Sequence, residues 1–100
     1  MKHFLLFYTL SPDYLEKRTK YRSVHLKMAW DAYERGDLIH GGALNDPADK
    51  AVLLFKGDTA EVAENFAKND PYVQNGLVEK WEVREWTTVV GDEASQPVRL

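Results

Sequence analysis

The segment His3-Phe4-Leu5-Leu6-Phe7-Tyr8-Thr9 is apolar at nearly every position and stops at Ser11-Pro12. It is too short for a lone helix and has no polar side, so it reads as a strand that is apolar on both faces. Ala51-Val52-Leu53-Leu54-Phe55-Lys56 repeats the pattern. Two such strands restrict the fold severely, because both faces of the sheet they form need a cover. A chain of 100 residues is one domain with a single modest core. Its own helices can shield one face. The simplest cover for the other is the sheet of a second copy, which predicts a homodimer. The competing cover is the C-terminal tail or the segment Val73 to Glu79.

The remaining elements follow from punctuation. Ser11 is a natural N-cap, Pro12 suits the first helical position, and Gly36 supplies a left-handed stop, which predicts a helix from Pro12 to Arg35. Leu38 to Leu44 reads as a second strand, Asn45 to Asp49 as a turn, and Ala51 to Lys56 as its hairpin partner. Gly57-Asp58-Thr59 opens a second helix, in which Asp58 and Glu61 have capping-box spacing and Val62, Ala63, Phe66 and Ala67 give the buried stripe. Pro71 ends that helix. Lys80 to Val90 is the last strand, with Trp81, Val83 and Glu85 on one face and Glu82, Arg84 and Trp86 on the other. Residues 91–100 are small, polar and aperiodic, so the domain occupies residues 1–90 and a loose tail follows. Strand, helix, strand, strand, helix, strand is the α+β ferredoxin-like split β-α-β order: a four-stranded antiparallel sheet with two helices on one face.

Composition narrows the function. Thirteen basic against sixteen acidic residues leave a net charge of −3, so there is no basic excess to hold nucleic acid. With no cysteine, disulfides, thiolate catalysis and Cys-based metal sites are excluded together. The early apolar run is too short for a signal peptide or a membrane span, which points to a cytoplasmic chain with no membrane partner. No HxH, HxxxH or HExxH spacing links His3, His25 and His40, so no metal is expected. His3 and His40 read as strand residues near solvent. Gly41-Gly42 lacks the context of a phosphate loop, and its glycines suit a bulge or the close approach of a ligand.

Three side chains stand out. On a helical wheel Leu15, Leu26, Ala29 and Tyr33 form an apolar stripe with Arg22 in its middle, while Arg18 and His25 lie on its shoulder toward Ala32 and Tyr14. A basic group centred on a core-facing stripe pairs with a carboxylate, faces a pocket, or snorkels to the helix edge. A free imidazole titrates near neutrality, so His25 suits proton transfer, or else packs. Asp70 precedes Pro71 with an extended backbone, at a helix C-terminus whose dipole disfavours a carboxylate. It either orients a histidine or stabilises its turn.

Strand one, the segment Arg22 to His25-Leu26, Gly41-Gly42-Ala43-Leu44, and Phe66-Ala67-Lys68-Asn69-Asp70-Pro71-Tyr72 with Gly76-Leu77 together resemble the YciI-like (YCII-related) family over residues 1–90. The resemblance implies a dimeric ferredoxin-like α/β barrel similar to muconolactone isomerase. It also implies a cofactor-free site built on a histidine–aspartate pair, at positions matching His25 and Asp70. Tyr72 stands where the family usually has Phe, which adds a hydroxyl to the pocket. Two functions remain open from the sequence. One is a cofactor-independent lyase or isomerase acting on a small anionic molecule, aromatic or not. In it His25 is the acid–base group, Asp70 orients it, Arg22 clamps the anion, and Tyr72 and Gly42 line the substrate. The other is a non-catalytic dimeric module that binds a small ligand or only packs.

Overall fold

A computed structural model describes residues 1–100. The element order is β1 (Lys2–Leu10), α1 (Tyr14–Glu34), β2 (Leu38–Ala43), β3 (Lys50–Gly57), α2 (Glu61–Asn69), α3 (Pro71–Gln74) and β4 (Val78–Trp86). The strands form one sheet in the order β2-β3-β1-β4, and every neighbouring pair is antiparallel. This is the ferredoxin-like split β-α-β arrangement, with the helices packed on one face. No helix is long and apolar enough to cross a membrane.

Alternation along β1 sorts its side chains. Phe4, Leu6, Tyr8 and Leu10 are buried under the helices, whereas Leu5, Phe7 and Thr9 are only half-buried. Directly opposed residues share a face in an antiparallel pair. Leu53 and Phe55 therefore join Leu6 and Phe4 in the core, and Trp81 and Val83 of β4 lie beside Tyr8 and Leu6. Ala32, Ala63 and Ala67 are fully buried; with only a methyl group each, they let α1 and α2 approach the sheet closely. On the opposite face Leu5 pairs with Leu54 and Arg84, and Phe7 with Val52 and Glu82. That face has a half-buried apolar centre beside the charged side chains of β4.

Several local features differ from the sequence expectation. The helix α1 begins at Tyr14, and neither Ser11 nor Asp13 caps it with a side chain. Ser11 is occupied elsewhere: its N–H donates to the Leu77 carbonyl and its hydroxyl donates to Asp13 Oδ1 at 2.7 Å. At α2 the Asp58–Glu61 capping box does not form; Thr59 Oγ1 accepts the Glu61 N–H at 3.3 Å instead. Past Pro71 the chain re-enters a single helical turn, α3, which the proline hid. The strand β4 ends at Trp86 rather than Val90 because the chain turns back there. Ser95 N–H donates to Thr88 Oγ1 at 2.7 Å, and Gln96 and Val98 donate to the carbonyls of Thr88 and Val89. The tail is thus folded against the end of the domain. His3, expected near solvent, is buried beneath this knot with Nδ1 2.7 Å from Thr88 Oγ1.

The largest difference concerns α1. Its core face is formed by Tyr14 and Ala32 with Tyr21, Met28 and Ala29 beside them, roughly 90° round the wheel from the stripe centred on Arg22. Leu15 is 56% exposed and Tyr33 49%. Ala32 permits contact with the sheet where the bulkier Tyr33 does not, and Tyr14 is held by ring contact with Tyr72. Urea unfolding checks this rotation. Leu6→Ala should cost about 2–5 kcal/mol, as for deletion of a buried leucine. Leu15→Ala should stay within about 0.5 kcal/mol. A large loss for Leu15→Ala would contradict the observed helix orientation.

Candidate active site

Asp70 has no accessible surface. Its φ of −75° and ψ of 122° are the extended values that a following proline demands, and they turn the chain from the end of α2 into α3. Asp70 is at once the residue after α2 and the N-cap of α3, where its Oδ1 accepts the Tyr72 N–H at 2.9 Å. That second role offsets its unfavourable place at the C-terminal end of α2. Two further donors converge from distant elements. The Tyr8 hydroxyl of β1 donates to Asp70 Oδ2 at 2.7 Å. His25 Nδ1 of α1 lies 2.9 Å from Oδ1 and 3.1 Å from Oδ2.

This pattern assigns the histidine proton. A carboxylate only accepts hydrogen bonds, so Nδ1 carries the hydrogen facing Asp70, and in the neutral imidazole Nε2 is the lone-pair nitrogen. The imidazole is fixed from its side as well. The Tyr72 ring stacks on it with centroids 3.9 Å apart and planes 10° from parallel. Phe66 meets it edge-on at 6.4 Å and Tyr14 meets Tyr72 edge-on at 5.7 Å. Burial, the neighbouring Asp70 charge and the hydrogen bond all push the Tyr8 hydroxyl far above the ordinary tyrosine range, so it stays a donor. Burial and then Tyr14 push Tyr72 up to about 12, with Arg22 and Arg18 pulling the other way.

His25 lines a cavity of about 570 Å³ between α1 and the edge strand β2. Of the stripe centred on Arg22, Leu26, Ala29 and Tyr33 line this space with it, and Leu15 does not. Arg22 is exposed at its rim, Arg18 is half-buried, and neither forms an ion pair. Tyr72 contributes to the wall, Trp30 and Tyr33 stand at the mouth, and Gly41 and Gly42 form part of the floor. A Cβ at Gly41 would come within 3.3 Å of Leu53 Cγ, whereas Gly42 has open space around it. Gly41 is therefore the glycine at which bulk is unwelcome. His40 is also part of the lining and is exposed. His25, Asp70, Arg22, Tyr72 and Gly42 thus all reach the cavity or its immediate support. Sequence reasoning missed Tyr8, and it marked Arg18 and Gly41 without giving Arg18 a site role or separating Gly41 from Gly42. Tyr8 carried no signal, because in a two-faced strand a tyrosine looks like any other core aromatic. Arg18 lay on the shoulder of the marked stripe, one helical turn before Arg22.

The family model for the YCII-related domain matches residues 1–87. The chain belongs to the YCII-related family. No curated protein matches the sequence. Among solved structures, the chain is similar to 5-chloro-2-hydroxyhydroquinone dehydrochlorinase from Burkholderia phenoliruptrix, in complex with 2,5-dihydroxybenzoquinone. The TM-score is 0.72 and the identity 20%, over 86% of this chain and 94% of the other. A NIPSNAP family protein from Agrobacterium tumefaciens is similar with a TM-score of 0.57 and 14% identity, over 94% of this chain and 96% of the other. These likenesses show a shared fold.

The raised tyrosines predict an alkaline limit. A proton held more tightly by the folded state contributes stability below the unfolded pKa, and that contribution is lost as pH rises through the folded pKa. For Tyr72 the window runs from 10.0 to about 12. Melting temperature should fall across this range, and Tyr72→Phe should fall less steeply. Identical slopes for the two proteins would show that Tyr72 titrates normally.

Proposed function

We propose that this protein is a cofactor-independent enzyme that moves a proton on a small, ring-bearing, anionic substrate, with lyase or isomerase outcome. The observation that carries this reading is the His25–Asp70 hydrogen bond at 2.9 Å, beneath a cavity of about 570 Å³ that His25 lines. In the proposed mechanism His25 Nε2 takes a proton from the substrate. The imidazolium that forms keeps its Nδ1–H on Asp70, whose negative charge stabilises it. The electron pair left behind has two fates. It re-forms a bond to hydrogen elsewhere on the same molecule when His25 returns the proton, which is isomerisation. Alternatively it becomes a new double bond as a leaving group departs with its own electron pair, which is elimination. Arg22 holds the substrate anion, and Tyr72 and Gly42 define its place. The dehydrochlorinase likeness supports the elimination branch, and the quinone in that structure supports a flat, oxygen-bearing ring.

The competing reading is a non-catalytic module; a packing module expects a filled site, which the open cavity argues against, whereas a binding module expects ligand binding without proton exchange. Solvent-deuterium incorporation followed by proton NMR decides between them. A panel of hydroxyquinones and aromatic carboxylates in D₂O should include at least one compound that exchanges a C–H. In His25→Gln that exchange should slow by about 10²-fold or more, the usual scale of a lost acid–base group. Binding of panel members without any exchange would instead support the module.

We further propose that the sheet face carrying Leu5, Phe7, Val52 and Leu54 pairs with the same face of a second copy. Four half-buried apolar side chains at the centre of the sheet face that carries no helices form the kind of patch that marks an interface, and the folded tail is hydrogen-bonded at the His3 end of that face. Light scattering at low micromolar concentration should give about twice the chain mass of 11.5 kDa. A clean monomer would overturn the dimer.

A further inference from the structure

Arg18 and Arg22 are one helical turn apart on α1, and both line the cavity. Like charges at this spacing repel and cost helix stability. Elsewhere on the same helix the basic residues next to acids are neutralised: Lys17 pairs with Asp13 at 3.0 Å and Lys27 with Asp31 at 3.1 Å. Arg18 and Arg22 have no such partner. No aspartate or glutamate lines the cavity, although the chain as a whole carries a net charge of −3. The one nearby carboxylate, Asp70, lies buried behind His25 and is saturated by three donors. The local excess of positive charge is therefore set against the overall balance, and it is aimed into a cavity with aromatic walls.

Arg18 is also held in place before any ligand arrives. Its guanidinium carbon lies 5.6 Å from the centre of the Tyr14 ring, within cation–π range. Tyr14 abuts Tyr72, and Tyr72 stacks on His25. A continuous series of ring contacts thus connects this guanidinium to the imidazole, so an anion on Arg18 sits in a defined relation to His25. Pre-ordering of this kind lowers the cost of immobilising a long side chain on binding. The Tyr72 hydroxyl adds a neutral donor to the same wall, and both guanidiniums act on it electrostatically.

We infer that Arg18 and Arg22 form a two-guanidinium clamp, and that the ligand of this cavity is a ring-bearing dianion. Arg22 holds one anionic group and Arg18 the other, while the ring lies along the wall formed by Tyr72. This specificity assignment rests on the proposed reading of the cavity as a substrate site. It names Arg18 as a residue that selects dianions over monoanions and neutral rings.

Calorimetric titration of the full chain with phthalate and benzoate tests the clamp at low ionic strength, where charge contacts are least screened. Phthalate should bind about 10-fold or more tightly than benzoate, equivalent to about 1.4 kcal/mol for the second charged contact. Arg18→Gln should bring phthalate down to the benzoate level and leave benzoate within about twofold, because the loss is confined to one charged hydrogen-bonding group. Arg18→Lys should recover only part of the preference, since an ammonium lacks the planar fork. Equal affinities in the wild type would overturn the clamp. So would an Arg18→Gln effect of the same size on both acids, which would mean general electrostatic attraction, or no binding of either acid at millimolar concentration. The deuterium exchange by His25 is read independently. Its loss would remove the acid–base reading and leave the Arg18 comparison standing, and the reverse also holds.

Discussion

The buried carboxylate of Asp70 is the constraint on which the site depends. An ionised carboxylate without water costs several kcal/mol unless its lone pairs are filled. Here they are filled from three elements distant in sequence: the Tyr8 hydroxyl of β1, the His25 imidazole of α1 and the Tyr72 N–H of α3. Each donor must be in place for the others to be useful, so the group ties the first strand, the first helix and the turn after the second helix into one geometry. That requirement also commits His25 Nδ1 and leaves Nε2 free. The arrangement that satisfies a buried charge therefore also prepares a base.

The cavity exists because α1 has two apolar faces and only one of them closes. Tyr14 and Ala32, with Met28 and Ala29 beside them, pack on the core. The adjoining stripe, with Arg22, Leu26 and Tyr33, stands away from the edge strand and leaves the gap that these residues line. Closing that gap would bring Arg18 and Arg22 against the apolar side chains of Leu38 and Leu53, where unpaired guanidiniums are costly. The two arginines thus help to keep open the space that they also charge. Gly41 keeps the opposite wall thin, since any Cβ there presses on Leu53.

The C-terminal residues add an independent local lock. Thr88 Oγ1 gathers the Ser95 N–H and the His3 imidazole, and both His3 and Thr88 are buried as a result. Apart from His3, the residues of the knot lie beyond those matched by the family model, which end at 87. The knot closes one corner of the sheet face, whose centre around Leu5 and Phe7 is half-buried. The similar solved structures at 14–20% identity share the fold, as expected when a sheet alternation and a few small residues under the helices are enough to specify an architecture.

What the sequence determined by itself was periodic or punctuated. The two-faced runs at His3 to Thr9 and Ala51 to Lys56 required central strands. Gly36, with φ of 86°, ended the first helix, and Pro71 ended the second; from these the element order and the split β-α-β topology follow. The candidate pair His25 and Asp70 was legible through local anomalies and the family resemblance. What only the tertiary structure decided was rotation and partnership. A long helix with apolar residues over most of its circumference does not state which stripe meets the sheet; small Ala32 against bulky Tyr33 decided that, through contacts no wheel contains. Tyr8 became a ligand of Asp70 only because β1 passes beneath the turn at residues 70–72. Ser11 lost its capping role because the helix starts at Tyr14 and the Ser11 hydroxyl donates to Asp13 Oδ1 instead. In the first two cases a long-range contact decided what local pattern left open.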